Sequence, residues 1–505
     1  MPFAKIKEHR NAVRHIYSQE SGFFKPLKQY IKNNFKHITN KKKPAYILKR
    51  YLFLLFIVST SCAPKMQRVE PPIAMPEEFS QTGNDVIPQK WWTAFKDPKL
   101  NTLIDSALAK NLDLAATWQQ FKAATAIRRR QKSFLWPDIS AGSQNAFSRP
   151  EPDFAGGENV QLGLSAAYEV DLWGSIRSAA QAADLRMRAS YQDYQAAAIS
   201  LSATIAETYF QLVTATKQLS LAEIQMQTNE DLLKLIRARF TGGQVGSVDV
   251  FRQRQLVEET RNQRLSYEAD VQLLNNQIAV LLGKAPQSFT EIIPDSLPGM
   301  PALPLTGIPL ELVRRRPDVV QRYNLVLAAD RDMAEAIRNK YPRLFVDLSA
   351  QARSNNYANL FNEWAYTLAG NLVAPLLYGG RLRAEVDRTE ALKNQQLYNY
   401  GQTVLNAFRE VEDALVQEEN QIQRLETLQL QLKLAESTNR QLRLGFLYGT
   451  SNYLDVFLAL DREQQLRRDF IDAQQRQLEI RIDMYRALAG SFDASDESEP
   501  ETTPQ

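Results

Sequence analysis

The sequence predicts a mainly α-helical protein with a transmembrane β-barrel contribution, on three observations. Long runs free of Gly and Pro carry a seven-residue apolar repeat, two regions switch to strict alternation, and both patterns occur twice. The predicted unit is therefore a tandem repeat, each copy giving one β-hairpin and one pair of long coiled-coil helices.

The helical run is clearest from Ile205, where Leu212, Leu219, Met226, Leu233 and Phe240 follow at every seventh position. Most positions three further on are small or apolar, namely Ala215, Ala222 and Ile236. Ser175 to Phe240 contains neither breaker, so about 66 residues can form one helix of roughly 100 Å. The stretch from Phe240 to Ser247 holds Gly242, Gly243 and Gly246 and reads as a turn, and Val248 to Leu282 as the antiparallel return helix. The seam reappears at Val411, Leu425, Leu432 and Phe446. Phe240 and Phe446, Gly243 and Gly449, Asp249 and Asp455, Val250 and Val456, and Phe251 and Phe457 all pair at one offset, 446 − 240 = 206. Two unrelated hairpins would not share one register through seam and turn.

Alternation marks the strands. Val160, Leu162, Leu164, Ala166, Tyr168, Val170 and Leu172 share one face, against Gln161, Gly163, Ser165, Ala167, Glu169 and Asp171 on the other. Ile139 to Phe147 is a weaker partner. In the second half Leu344, Val346, Leu348, Ala350 and Ala352 alternate with polar residues, as do Trp364, Tyr366, Leu368, Gly370 and Leu372. Strands apolar outward and polar inward suit a membrane barrel, although a soluble sheet with one wet face alternates too. Four strands are too few to close, since the smallest stable membrane barrels need about eight. Other copies must pair the edges. Three copies give twelve strands and twelve long helices; two or four copies are also compatible with the pattern.

The boundaries follow. Residues 1–61 form an N-terminal extension and signal peptide, 62–90 a lipid-anchored linker, and 91–290 the first repeat, with strands at 138–148 and 160–172 and long helices at 175–240 and 248–283. A Pro-rich linker spans 291–309. The second repeat covers 310–490, with strands at 344–354 and 364–374 and long helices at 381–446 and 453–489, and 491–505 is a disordered acidic tail. Ahead of the first strand, Asp97 and Pro98 open an amphipathic helix reaching about Lys132. Leu310 to Lys340 is another helix, with Pro317 at a first-turn position after the basic run Arg314-Arg315-Arg316.

The net charge of +4 misleads. Residues 1–50 hold 13 Lys or Arg against Glu8 and Glu20, leaving 61 − 13 = 48 basic and 57 − 2 = 55 acidic side chains beyond, a balance of −7. No nucleic-acid surface is implied. Lys41 to Arg50, the apolar Tyr51 to Val58 and Ser59-Thr60-Ser61-Cys62 form an export signal, too short in its apolar part to span a bilayer. The small residues before Cys62 resemble a bacterial lipobox with Ser59 in the usual Leu position; an ordinary signal peptide near a chance cysteine is the alternative. Cys62 is the only cysteine, and His9, His15 and His37 all precede it. Ser-His-Asp, Cys-His and zinc sites are thereby removed from consideration in the mature chain; hydrolysis by two carboxylates alone stays formally open, and nothing in the spacing argues for it. No enzyme activity and no cofactor are expected.

Trp91 to Leu100, Tyr168 to Gly174, Arg314 to Asp318, Tyr341-Pro342 and the two hairpin turns together resemble the TolC-like outer membrane efflux proteins, and within them the lipoprotein branch typified by OprM and NodT. Asp171, Leu172, Trp173 and Gly174, with Arg316, Pro317 and Asp318, are the strongest part of that signature. The resemblance implies a homotrimer with a twelve-stranded outer membrane barrel and a twelve-helix periplasmic tunnel. It also implies a lipid anchor at Cys62, a periplasmic adaptor protein, and an inner-membrane pump of the resistance-nodulation-division type. The implied adaptor-docking tips are Thr241, Gly242, Gly243, Gln244, Val245, Gly246 and Ser247, and Tyr448, Gly449, Thr450, Ser451 and Asn452. Asp455 matches a family gate position, with Asp461 beyond it. Leu458 stands where many relatives have Asp, so an acidic and a hydrophobic ring both remain open; Asp455 and Asp249 also suit helix capping. The implied function is a passive exit duct for small molecules. A type I protein-secretion channel and a lipid-anchored coiled-coil scaffold without a pore are the rival readings.

Overall fold

The computed structural model describes residues 73, 76–147, 158–288, 296–354 and 357–488, all within the unit Val69–Gln505. Cys62, the export signal, the acidic tail and the loop between the first two strands lie outside the described residues.

A short 3-10 helix, Trp91–Phe95, precedes α1 (Pro98–Lys110) and α2 (Leu112–Ser133). Strands β1 (Asp138–Phe147) and β2 (Glu158–Val170) lead into α3 (Ser175–Thr241) and α4 (Ser247–Leu281). The second half repeats this order with α5 (Pro309–Arg315), α6 (Pro317–Arg338), β3 (Arg343–Ser354), β4 (Trp364–Val373), α7 (Arg381–Leu447) and α8 (Tyr453–Leu488). Helices α3 and α7 have 67 residues each, about 100 Å of helix.

Two predicted helices are each broken. Between α1 and α2, Asn111 adopts extended backbone (ψ 129°) and its Oδ1 accepts from Leu114 N at 2.9 Å, capping α2. Between α5 and α6 the break falls at Arg316, because Pro317 disfavours helical backbone in the residue before it. Asp97 caps α1, accepting from Lys99 N at 2.9 Å and Leu100 N at 3.2 Å.

The strands form one antiparallel sheet in the order β1-β2-β3-β4, so the β2–β3 junction joins the two halves. The register aligns Ile139, Ala166, Leu348 and Leu368 in one row across the sheet, and Ser140, Ser165, Ser349 and Thr367 in the next. One face is thus mainly apolar, and the other is polar, with Gln161, Glu169, Asp347 and Gln351 beside the hydroxyl row. Strands β1 and β4 are open edges. Leu368 and Ile139 are each 74 % exposed, an unfavourable display of apolar surface in water. Among the described residues no helix is long and apolar enough to cross a membrane.

The α3–α4 and α7–α8 hairpins pack side by side through α8 and α3, while α6 lies against both α3 and α7. Trp91, Trp92, Phe95 and α1 pack into the middle of α3 and the end of α8, with Trp91 Nε1 donating to Ser202 Oγ at 3.1 Å. A matching cluster joins α5, the start of α6, α7 and the end of α8. The predicted seam is buried in part. Ile205, Leu212 and Leu233 are buried, but Leu219 and Met226 are half-buried and Phe240 is exposed, while Gln218, Gln225 and Leu232 are buried instead. Ala215, Ala222 and Ile236, the predicted positions between, are buried as well, so the buried face is wider than a strict seven-residue seam and takes in the positions just before it.

Candidate functional site

The chemistry-bearing parts of the chain are its helical tips and its sheet. At the first tip Thr241 ends α3, Gly243 takes φ +71°, and Asp249 Oδ2 accepts from Gly246 N at 3.2 Å to brace the start of α4. Thr241, Gly242, Gly243, Gln244, Gly246 and Ser247 are exposed, whereas Val245 packs inward. At the second tip Tyr448 is 82 % exposed and Gly449 has φ +77°. Thr450 N and Ser451 N donate back to Gly445 O at 2.8 and 3.3 Å.

The two tips share one core. Leu232, Ile236 and Leu256 of the first hairpin pack with Phe446, Tyr453, Val456 and Leu460 of the second. Arg239 reaches across, its guanidinium 4.3 Å from the Phe446 ring and Nη1 donating to Phe446 O at 3.0 Å. A cation therefore sits at the carbonyl end of α7, where the helix dipole favours it.

The gate candidates occupy the start of α8. Asn452 caps this helix, its Oδ1 accepting from Asp455 N at 3.0 Å, so the capping role lies with Asn452 rather than the Asp455 side chain. Neither the Asp455 nor the Asp461 carboxylate has a partner among the described residues, and both are half-buried. Leu458 is exposed between them. None of the three belongs to the tip core.

Between the hairpins runs a buried polar ladder that the heptad analysis missed. Gln218 Nε2 donates to Arg468 O (3.0 Å) and Asp472 Oδ1 (2.7 Å), and Arg468 Nη1 to Gln225 Oε1 (2.7 Å). Asn229 and Gln464 exchange amide bonds of 3.2 and 2.9 Å, and Asn229 Nδ2 also donates to Thr260 Oγ1 at 2.8 Å. Gln253 Nε2 donates to Asn229 O at 2.9 Å, and Gln253 Oε1 accepts from Tyr453 OH at 2.5 Å. The available signal was the seven-residue step from Gln218 to Gln225, one position behind the apolar seam.

A sheet with open edges and one apolar face, carried on paired 67-residue helices, is the geometry of a wall segment rather than a closed body. A family model described as outer membrane efflux protein matches residues 103–284 and again 309–490. The chain belongs to that family. It is 28% identical over 473 residues to the pyoverdine export outer membrane protein OpmQ of Pseudomonas putida, covering 89% of this chain and 98% of the relative. It is 26% identical over 454 residues to the cation efflux system protein CusC of Escherichia coli, covering 87% and 97%. The crystal structure of a membrane protein from Pseudomonas aeruginosa matches with a TM-score of 0.78 at 27% identity, over 87% of this chain and 99% of that one. This efflux protein is an outer membrane component with the TolC-like fold, and its family and relatives are channels rather than enzymes.

In the efflux protein the signature residues bind strands to helices. Asp171 caps α3, accepting from Ile176 N (3.1 Å), Arg177 N (3.0 Å) and Arg177 Nε (3.0 Å). Trp173 stacks on Tyr341 at 5.0 Å and donates Nε1–H to Pro342 O at 2.8 Å, tying the end of β2 to the start of β3. Leu172 lies past the end of β2, exposed, and Gly174 takes φ +81° under the Arg338 side chain. Arg316 donates to Asp318 (3.0 and 2.8 Å), Glu410 (2.8 Å) and Ala487 O (3.2 Å). Burial opposes its charge, and the two carboxylates more than offset this, raising its pKa. Pro317 fills the first position of α6. Among the described residues no group of three His, Cys, Asp or Glu side chains is placed to hold a metal ion.

Proposed function

We propose that this efflux protein is the passive exit duct of a tripartite efflux system. Three copies join their sheets into a twelve-stranded barrel and their long helices into a twelve-helix tunnel reaching into the periplasm. The carrying observation is the four-stranded sheet itself, mainly apolar on one face, polar on the other and unpaired at both edges, which is stable in a bilayer only when closed. Exposed tip residues around Gly243 and Tyr448 dock a periplasmic adaptor linked to an inner-membrane pump of the resistance-nodulation-division type. The relatives named for pyoverdine export and cation efflux support small solutes as cargo over a secreted protein.

Asp455, Leu458 and Asp461 are the residues proposed to narrow the tunnel at its tip, and the absence of a partner for either carboxylate among the described residues, with Leu458 exposed between them, supports this. Purified protein in planar bilayers tests the reading. Stable, low-conductance pores are expected, and Asp455→Ala should widen them several-fold. Bilayers that stay silent would remove the duct, while unchanged conductance in the variant would remove only Asp455 from the constriction. Cys62 is the proposed lipid anchor; Cys62→Ser should lose metabolic palmitate labelling, and label retained on the variant would refute the lipobox.

A further inference from the structure

Where the sheet meets α2, α3 and α6 lies a cavity of about 530 Å³, within the range of small-molecule sites. One wall is the polar face of the sheet, on which Asp138, Ala167 and Asp347 form a single row across β1, β2 and β3. Glu335 of α6 supplies another wall, and the exposed Phe134 and Trp136 of the α2–β1 turn a third.

Two features of this lining go beyond what joining strands to helices requires. The first is Phe345, half-buried in the cavity and the only aromatic side chain on the polar face among the described strand residues. The Arg343 guanidinium lies 5.1 Å from its ring, and that charge is already answered by Glu169, which accepts from Arg343 Nε at 2.6 Å and from Nη2. The second is negative charge left without a cation. Among the described residues neither the Glu335 nor the Asp138 carboxylate has a hydrogen bond or ion pair, and Asp347 accepts only from the neutral Asn371 Nδ2, at 3.1 Å. Burial raises the pKa of Glu335, and Asp332 and Glu385 add to the rise against Arg186, so a cation brought to this carboxylate would be favoured.

The internal repeat shows that the fold does not demand these residues. Ile139 opposes Ala166 as Leu344 opposes Leu372, and Trp118 packs on Tyr194 at 4.9 Å as Tyr323 packs on Tyr400 at 5.7 Å, each second-half residue standing 205 or 206 positions later. At the offset of 205, Phe345, Asp347 and Glu335 correspond to Ser140, Gly142 and Arg130. The first half therefore has no ring, no acid and a reversed charge at the equivalent places. A part needed only to seat strands on helices would be present in both.

We propose that this cavity is a binding station, one per copy, for solutes that carry a positive charge on or beside an aromatic ring. Phe345, with Phe134 and Trp136, takes the ring, and Glu335, Asp347 and Asp138 take the charge. Asp138 and Asp347 stand two strands apart, about 10 Å, a span that a ring system fills. The inference rests on the duct reading above, in which the polar face lines the interior, and it gives that duct a preference among cargoes: aromatic cations dwell at the junction and aromatic anions do not.

The probe is ethidium, a planar aromatic cation, added to the full chain purified in detergent, with fluorescein as an aromatic anion and tetraethylammonium as a cation without a ring. Above the background of empty micelles, ethidium anisotropy should saturate at one site per chain. Fluorescein should not bind, and a tenfold excess of tetraethylammonium should not displace ethidium. Phe345→Ala and Glu335→Gln should each weaken ethidium binding about tenfold, while Ser140→Ala at the counterpart position leaves it unchanged. Phe345→Leu and Asp347→Asn, which keep the side-chain shapes, should weaken it in the same direction and cover the case in which the first pair disturbs folding. Planar bilayers separate the outcomes. Conducting pores with no saturable ethidium binding, with fluorescein bound equally well, or with affinity unmoved by these substitutions overturn the station and leave the duct standing. Saturable binding lost in the variants, with bilayers that stay silent, upholds the station and overturns the duct.

Discussion

The Glu207 carboxylate illustrates how a single residue responds to the space between two long helices. Burial raises its pKa above the ordinary carboxylate value, and Asp483 on α8 raises it further, with Arg486 and Arg476 opposing and Glu479 adding to the rise. Asp483 is likewise raised by burial. A raised acid holds its proton more tightly in the folded state, so folding is favoured while both states are protonated and that advantage is lost as pH rises from the unfolded value through the folded one. The α3–α8 contact should therefore tighten as pH is lowered from neutrality toward the carboxylate range. Glu207→Gln should raise Tm at pH 7.5 and leave it unchanged near pH 4, followed by circular dichroism; an equal shift at both values would show that charge is not the cause. Asp184 has the opposite sign. Burial works against its charge, but the Arg128 hydrogen bond and the charges of Arg128, Arg188 and Lys132 win, so its stabilisation fades in acid. Neither shift was legible in the sequence, because each depends on which residue of a distant helix lies opposite.

Among the elements, α3 was the most legible and also the most instructive in its error. Absence of Gly and Pro gave its length, and the apolar repeat gave its buried side at Ile205, Leu212, Ala215, Ala222, Leu233 and Ile236, while Gln218, Gln225 and Asn229 are buried beside them. Sequence periodicity assumes that apolar residues are the buried ones, and here the buried positions hold amides bonded across to α8. Such a ladder ties the hairpins in one register, because an amide shifted by a residue loses its partner, whereas a leucine would slide. Asn229→Ala strips Gln464 and Thr260 of their shared partner and should cost about 1–3 kcal/mol, read from the unfolding midpoint and from faster hydrogen exchange in α4 and α8 near the tip. Leu235→Ala, on the exposed side of the same turn, should change little. Equal costs at the two positions would mean that the ladder contributes nothing to register. The sheet was legible for a simpler reason, that its period of two places every apolar residue on one face whichever partner it finds.

At the scale of the whole molecule, equal arms are what let two hairpins end in one tip. Helices α3 and α7 match at 67 residues, α4 and α8 have 35 and 36, and the tip core draws on both hairpins at once. The sequence disclosed this through the constant offset of 206, although it could not disclose that Phe446 would be covered by Arg239 and the first hairpin while its counterpart Phe240 stays exposed. Removing one heptad from each arm of the first hairpin, residues 219–225 and 261–267, shortens it by about 10 Å and draws Arg239 away from Phe446. Trypsin should then cut at Arg239, which the intact tip holds half-buried against Phe446. Removing the equivalent residues 425–431 and 467–473 as well restores equal lengths, and protection should return even though more of the protein has been deleted. Rescue by a second deletion is not available to hairpins that fold independently, so a first deletion without effect, or a second without rescue, would separate the two tips and with them the shared core from which the duct's narrow end is built.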